Sequence, residues 1–202
     1  MPWHNARDFV GLDAEYAQAF RGAQLIDGEE PPEIVAVRLT QTDIPEELVN
    51  ALDDWIFCTP SEAQKAWLLA VAEGAFPDPT HWRERVADPR TWEDETKIAE
   101  LAATVPVESA SIAGMIAFAP RLFERGDPNA APFLLRVLAA HPDQYIVFVY
   151  LGRVMARRQD FAEALRYYQA AEVLRPDTHS VHEGRAWVFE QCGRFEEALA
   201  EW

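Results

Sequence analysis

The sequence predicts an all-α protein. Leucine, alanine and tryptophan recur at spacings of three and four residues along much of its 202 residues, which places them on one face of a helix. Prolines and glycines interrupt these periods at intervals that suit short helices joined by turns. Only Ile34–Leu39 also fits the alternating pattern of a strand, and this stretch lies inside Glu33–Gln41, which we interpret as a helix.

The chain up to residue 123 is predicted to hold irregularly spaced helices as far as residue 104, followed by the degenerate first helix of the repeat array. Residues 1–10 precede them, and an acidic linker, Asp27–Pro32, follows the first. Pro120 predicts a kink or an early stop in the last, because proline lacks the N–H that a helix interior needs. The predicted helices are Leu12–Arg21, Glu33–Gln41, Glu46–Phe57, one that ends at about Gly74, His81–Val86, Trp92–Ala103 and Glu108–Phe123.

Threonines are predicted to cap three of these helices. Thr59 and Glu62 have the spacing of a capping box, with Pro60 at the first helical position. Thr80 and Thr91 precede the helices that follow. The apolar stripes predict buried faces, which comprise Leu48, Leu52, Trp55 and Ile56 on one helix and Ala63, Ala66, Trp67, Ala70 and Val71 on the next.

The best-defined stretch is Tyr145–Asp177, which predicts two helices with a turn at Gln159-Asp160. Pro176 ends the second helix. The small residue Gly152 lies where one helix must approach another closely. The residues that share faces at helical spacing are Phe148, Leu151, Gly152 and Met155 on the first helix and Ala164, Tyr168 and Ala171 on the second.

These residues resemble a tetratricopeptide repeat, a helix–turn–helix unit of 34 residues. Met155 stands where the family often has tyrosine, and methionine fills the same kind of gap. The resemblance implies antiparallel helix pairs stacked as a right-handed α-solenoid. The residues that match the family pattern are Phe148, Leu151-Gly152, Ala164, Tyr168, Ala171 and Pro176.

The pattern recurs at a period of 34 residues. Ala164 has counterparts in Ala130 and Ala198, and Pro142 precedes Pro176 by one period. We therefore expect residues 1–104 to be an irregular helical region and 105–202 to be a repeat array. The predicted units are 111–144, 145–178 and a truncated 179–202.

A second resemblance covers Leu52 to Ala102, through segments such as WLLAVAEGA and HWRERVADPRTWED. They are similar to helical segments near the repeats of large planctomycete-type bacterial serine/threonine kinases. This resemblance implies the non-catalytic part of a signalling protein. The sequence contains no glycine-rich phosphate loop, no His-Arg-Asp triplet and no Asp-Phe-Gly motif.

The composition limits the classes of partner. The net charge is −16, and residues 1–140 carry most of it, with 24 acidic and 11 basic residues. Such a surface repels nucleic acid and anionic membranes, whereas it permits a basic protein partner or simply confers solubility. Neither a signal peptide nor an apolar run long enough to span a membrane is visible. Cys58 and Cys192 have no paired spacing, so we expect two buried free thiols and a cytoplasmic protein.

The sequence offers few candidates for chemistry. His179 and His182 lie three residues apart, but no third ligand is near in sequence, so a packing role is favoured over a metal site. Asp53 and Asp54 are adjacent on a helix and point apart. Glu93–Glu95 occupy a first helical turn, where acids interact favourably with the helix dipole. We expect no catalytic residue, no metal and no cofactor.

The resemblance to tetratricopeptide repeats implies a binding groove on the concave side of the array. By the repeat register Trp187 lies on this side, as a partner-binding anchor or as a packing residue. The predicted partner-binding groove comprises Ile146, Val149, Arg153, Glu183, Trp187 and Glu190.

The last predicted helix carries an apolar seam with no following helix to cover it. This seam predicts either self-association or continuation of the chain. Its residues are Phe195, Ala198, Leu199 and Trp202.

The preferred function is a non-catalytic scaffold for protein–protein interaction, within a larger bacterial signalling protein. The alternative is a helical regulatory or accessory domain of an enzyme, without a partner of its own. A deep polar pocket would favour the alternative, and an open groove would favour the scaffold.

Overall fold

The computed structural model describes residues 9–27 and 30–202, in which helices and turns occur and no strand does. The all-α prediction is confirmed for these residues. Residues 1–8 and 28–29, which belong to the predicted N-terminal end and the acidic linker, lie outside them. The described α-helices are α1 (Phe9–Gly22), α2 (Pro32–Thr40), α3 (Pro45–Cys58), α4 (Glu62–Ala75), α5 (Trp82–Ala87), α6 (Glu95–Thr104), α7 (Ile112–Arg125), α8 (Ala130–Ala140), α9 (Tyr145–Arg157), α10 (Phe161–Leu174), α11 (His179–Gln191) and α12 (Phe195–Glu201).

The segment that fitted both a strand and a helix is helical. Val35, Ala36 and Leu39 are buried at helical spacing on α2, while Ile34 and Val37 are exposed. Pro32 stands at the first helical position, where its missing N–H costs no hydrogen bond. The buried side chains at a period near 3.6 residues therefore decide between the two structures.

The capping box predicted at Thr59 is wrong. Thr59 terminates α3, because its N–H bonds to the carbonyl of Trp55 at 2.9 Å. Ser61 caps α4 instead, and its Oγ accepts a hydrogen bond from the N–H of Gln64 at 3.3 Å. Two helices that follow each other so closely leave only one residue between the two caps.

The buried face predicted for α4 is also wrong, except at Val71. Ala63, Ala66 and Ala70 are exposed, and Trp67 is half-buried. The face that carries leucine turns to the core because a leucine side chain removes more apolar surface from water than an alanine does. The buried residues of α4 are Leu68, Val71, Ala72 and Ala75.

The helix predicted over Trp92–Ala103 forms two pieces, a 3-10 helix at Pro89–Glu93 and α6. Aspartates cap both, not Thr91. Asp88 Oδ1 accepts from the N–H of Arg90 at 2.9 Å, and Asp94 Oδ1 accepts from the N–H of Thr96 at 2.9 Å. An ionised carboxylate is the stronger acceptor for these N–H groups.

Helix α7 begins and ends later than predicted. The Oγ of Ser111 accepts from the N–H of Gly114 at 3.0 Å, which starts the helix at Ile112 instead of Glu108. The helix then runs past Pro120 to Arg125, so the predicted early stop is wrong. Proline removes one helical N–H bond, and the buried side chains of Phe118 and Leu122 hold the helix on both sides of that gap.

The described residues form two compact units, one within residues 1–97 together with 109–117 and one of residues 98–108 and 118–202. In the first unit Trp55 lies at the centre of the core between α1 and α3. Its ring stacks on Phe20 with the centroids 5.3 Å apart, and its indole N–H donates to Asp13 Oδ1 at 2.7 Å. The predicted buried stripe of α3 is confirmed, since Leu48, Leu52, Trp55 and Ile56 are all buried.

Hydrogen bonds between residues one repeat apart hold the second unit together. Arg136 Nη1 donates to the carbonyl of Ala102 at 3.1 Å, and His141 Nε2 lies 2.7 Å from the carbonyl of Val107. Arg157 donates to the carbonyl of Phe123 in the same way. Each pair is separated by 34 residues. Arg136 and Arg157 thus satisfy carbonyls that the ends of α6 and α7 leave free, and His141 contacts a carbonyl in the turn after α6.

Tyr168 is the largest fully buried side chain of the described residues, and it lies in the core formed by α9, α10 and α11. A Cβ added at Gly152 would lie 2.7 Å from Tyr168 Cε1, which confirms the predicted close approach of two helices there. The glycine therefore permits the aromatic ring to fill the space between them.

Candidate functional site

The predicted groove residues lie on α9 and α11, which contact each other in the second unit. Arg153 Nη2 and Glu183 Oε2 are 3.8 Å apart, and their side chains are only partly exposed. The Arg153 guanidinium also lies over the ring of Tyr150, with 5.6 Å from Cζ to the centroid. The structure therefore brings Arg153 and Glu183 together as an ion pair that links the two helices.

Trp187 is half-buried and packs against the core of the second unit. Its ring meets the edge of Phe161, with centroids 6.3 Å apart and an angle of 65° between the planes. Ile146 packs against the same core and is also half-buried. Trp187 thus has a packing role on one side and keeps part of its ring accessible.

The remaining two groove residues differ in accessibility. Val149 is 0% exposed and belongs to the core cluster, so its side chain offers no surface to a partner in this structure. Glu190 is exposed near the end of α11. The accessible part of the predicted groove consists of Ile146, Arg153, Glu183, Trp187 and Glu190.

The hydroxyl of Tyr168 lies under this surface. It is buried and forms no hydrogen bond within the described residues. Burial raises the pKa of Tyr168, and the charge of Arg153 lowers it to a smaller extent while that of Glu183 raises it. The phenol therefore stays protonated at neutral pH.

The predicted apolar seam on α12 is largely exposed. Phe195, Leu199 and Trp202 are 65%, 75% and 69% exposed, whereas Ala198 is buried and does not contribute to an accessible seam. The three exposed residues stand 34 positions after Phe161, Leu165 and Tyr168. In the preceding unit those counterparts pack in the core that α11 helps to form.

An ion-pair network on α11 was not predicted from the sequence. Glu201 accepts from Arg185 Nη2 at 2.7 Å and lies 2.9 Å from His182 Nδ1, and Arg185 also pairs with Glu172. His182 therefore contacts the end of α12. No group of three histidine, cysteine or acidic residues within the described ranges is placed to hold a metal ion. The pairs join residues 13 to 19 positions apart, and helical periodicity does not predict contacts between residues so far apart in sequence.

The two cysteines lie in different environments. Cys58 is buried as predicted, but Cys192 is exposed, so the prediction of a buried thiol there is wrong. Helix α11 ends at Gln191, and Cys192 is its C-terminal cap.

No helix in the described part of the chain is both long and apolar enough to cross a membrane.

Comparison with known proteins gives one family match and several structural likenesses. No curated protein sequence matches the chain. A MamA point mutant is 18% identical over 98% of this chain and 95% of its own, with a TM-score of 0.47. The structure MamA MSR-1 is 20% identical over 96% and 91%, with a TM-score of 0.46. The structure MamA AMB-1 is 22% identical over 79% and 89%, with a TM-score of 0.49.

The family model described as tetratricopeptide repeat matches residues 116–177 and again residues 151–202. These ranges contain the helix pairs α9 with α10 and α11 with α12, together with α8 and most of α7. The match covers residues 116–202, which are less than half of the chain, and this part is therefore similar to the tetratricopeptide repeat family.

Proposed function

We propose that this protein is a non-catalytic scaffold that binds a protein partner through its repeats. The observation that supports this proposal is the tetratricopeptide match over residues 116–202, since helical repeats of this type present extended surfaces to other proteins.

The proposed binding surface lies on α9 and α11. Trp187 supplies a partly accessible aromatic ring, of the kind that dominates binding energy at protein interfaces. The ion pair of Arg153 with Glu183 supplies both a donor and an acceptor beside it. Glu190 adds an exposed negative charge near the end of α11. Ile146 completes the accessible set, and Val149 is left out because it is buried.

The test is an affinity capture from cell lysate with three forms of the full chain. One is the wild type and one carries Trp187→Ala with Glu190→Lys. The third carries Glu196→Lys, which reverses an exposed charge on α12 outside the proposed surface and serves as the control. Truncation of an interface tryptophan costs about 2 kcal/mol or more, or roughly 30-fold in affinity.

We expect specific proteins to be retained by the wild type and by Glu196→Lys, and to be lost from the double variant. Circular dichroism must show the same helicity for all three, because Trp187 also packs against Phe161. Retention of the same proteins by all three forms would refute the proposed surface.

The proposed setting is the non-catalytic part of a larger bacterial signalling protein in the cytoplasm. Its support is the resemblance of Leu52–Ala102 to segments of planctomycete-type kinases and the buried free thiol of Cys58. An antibody raised against the 202 residues should detect a cytosolic polypeptide larger than 22.9 kDa in the source cells. A band at 22.9 kDa alone would contradict this setting.

The exposed face of Phe195, Leu199 and Trp202 is proposed as a second contact surface, for another copy of the chain or for a following helix. Its support is that the equivalent residues of α10 lie in a helix-covered core. Sedimentation velocity decides whether the 202 residues associate with themselves. A monomer that holds α12 ordered without any covering partner would count against both forms of the proposal.

A further inference from the structure

A half-open cleft lies entirely within the first unit and plays no part in the proposed repeat surface. Its volume is about 340 Å³, at the lower end of the range for ligand sites of roughly 300–1,000 Å³. It is bordered by the start of α3, the segment 76–83 and the segment 109–111. Apolar side chains form much of its wall, among them Pro45, Val49, Phe76, Pro77 and Pro79.

A buried polar cluster forms one side of the cleft. Asp53 and Arg83 are 3% and 8% exposed, and Arg83 Nε donates to Asp53 Oδ1 at 2.6 Å. The hydroxyl of Ser111 donates to the other oxygen of Asp53. Arg83 Nη1 donates to the carbonyl of Phe76 at 3.1 Å. These contacts hold the three segments of the cleft at fixed positions.

One guanidinium nitrogen of Arg83 is available as a hydrogen-bond donor to a ligand. Its Nη2 donates no hydrogen bond to a described residue, and this nitrogen is not fully buried. Arg83 lines the cleft, so this nitrogen is the donor that the side chain can offer to a ligand there. This donor suits a carbonyl oxygen of a bound chain.

The cleft carries excess negative charge. Three carboxylates line it, those of Glu46, Asp53 and Asp78, against the single guanidinium of Arg83. Arg83 is paired with Asp53, so its charge is already balanced. Asp78 accepts hydrogen bonds from the N–H and hydroxyl of Thr80 and from the N–H of Arg83, which favour its ionised form. Glu46 is exposed, and its carboxylate forms no ion pair with a described residue.

We propose that this cleft binds a lysine or arginine side chain presented by an extended segment of a partner protein. The aliphatic stem lies on the proline, valine and phenylalanine walls, and the cationic end meets Glu46 and Asp78. The free donor of Arg83 takes a backbone carbonyl of the segment. The first unit carries 20 acidic and 8 basic residues, so its field also attracts a cationic partner.

The test uses the full chain labelled with ¹⁵N and three peptides, acetyl-Leu-Lys-Leu-amide, its norleucine analogue and its glutamate analogue. A fourth probe is n-butylamine. We expect the lysine peptide to shift the amide signals of Thr80, Arg83 and Ala110 with a Kd on the order of 1 mM or below. The norleucine and glutamate peptides should bind at least about tenfold more weakly, because they lack the cation.

Two variants distinguish binding in the cleft from attraction by the net negative charge of the first unit. Glu46→Lys reverses a charge that lines the cleft, whereas Glu47→Lys reverses an exposed neighbour on the same helical turn that does not line it. Glu46→Lys should weaken binding about tenfold, and Glu47→Lys by less than about threefold. Both residues are exposed, so neither change disturbs the core.

Four results would overturn the proposal. They are the absence of shifts at 10 mM lysine peptide, equal binding of the norleucine peptide, equal effects of the two variants, and binding of n-butylamine as tight as that of the peptide. The last would assign the cleft to a small amine instead of a protein segment. The experiment leaves the repeat surface unchanged, so its outcome is independent of the proposed scaffold function.

Discussion

Tyr168 on α10 lies where any side chain at position 184 of α11 would have to be. A Cβ added to Gly184 would be 2.4 Å from Tyr168 Cζ, and one added to Gly152 would be 2.7 Å from Tyr168 Cε1. One aromatic ring thus fills the gap between two helices, each of which carries a glycine at the point of contact. The helix spacing in this part of the repeat array depends on these three residues.

Replacement of Gly184 by alanine should destabilise the protein by about 1–3 kcal/mol, because the new methyl group overpacks a filled core against Tyr168. Gly22→Ala is the matched control, since a Cβ there meets nothing within 4 Å. Urea denaturation followed by circular dichroism measures both. Equal midpoints for the two variants would contradict the proposed close contact.

Removal of the Tyr168 hydroxyl should raise the free energy of unfolding by about 1 kcal/mol, because this buried group has no hydrogen-bond partner among the described residues. Tyr145→Phe is the control, since the Tyr145 hydroxyl accepts from Arg175 Nη1 at 3.2 Å and its loss should be neutral or mildly destabilising. Thermal unfolding measures the stability of each variant relative to the wild type. A loss of stability in Tyr168→Phe would show that the hydroxyl is paired after all.

Asp53→Ala should lower the free energy of unfolding by about 3–5 kcal/mol, because it leaves the buried guanidinium of Arg83 without its partner. The double change Asp53→Leu with Arg83→Met should recover most of that loss, since it removes both charges together. Asp43→Ala, at an exposed position on the surface, is the control and should change stability by less than about 0.5 kcal/mol. Chemical denaturation measures all three, and a double variant that is no more stable than Asp53→Ala would refute the pairing.

Stability should fall in acid in part through Asp78. Partial burial raises the pKa of Asp78, but hydrogen bonds from the Thr80 hydroxyl and from the N–H groups of Arg83 and Thr80 outweigh it and lower the pKa below its usual value. The unfolded chain therefore binds this proton more tightly, at a pKa of about 3.9. The stabilisation is present above about pH 4 and is lost as the pH falls through the lower pKa of the folded state.

Asp78→Asn should remove this contribution. Its unfolding free energy should be lower than that of the wild type at pH 6, and the difference should shrink as the pH falls from about 4 towards 2. The measurement is urea denaturation of both proteins at a series of pH values. A difference that stays constant with pH would contradict the lowered pKa of Asp78.

Local patterns predicted helix positions well where one residue decides them. The turn at Gln159-Asp160 is present, with Asp160 as the N-cap of α10 and Gln159 at a φ of 62°. The caps at Thr59 and Thr91 were wrong because a second acceptor lay within three residues, and sequence spacing does not rank competing acceptors. The face of α4 was wrong for a related reason, since apolar residues recur at helical spacing on two faces, one with Ala63, Ala66 and Ala70 and one with Leu68, Val71, Ala72 and Ala75.

The candidate sites were harder to predict from the sequence than the helix positions, because their contacts depend on the fold. The sequence placed Arg153, Glu183 and Trp187 on neighbouring helices, and the structure shows the ion pair of the first two. It did not predict that Val149 is fully buried, because burial depends on which helix covers a given face. Nor did it predict the cleft of the first unit, whose polar cluster joins residues 30 and 58 positions apart.

Local spacing in the sequence was enough to predict the all-α fold of the described residues and the period of 34 residues in the last part of the chain. It also determined that Gly152 must accommodate a large neighbour. Three features could be found only in the folded chain: Gly184 shares this role, Arg83 pairs with Asp53, and a cleft opens beside that pair. These contacts join distant parts of the chain, and their energies depend on packing and burial, which no local pattern of residues specifies.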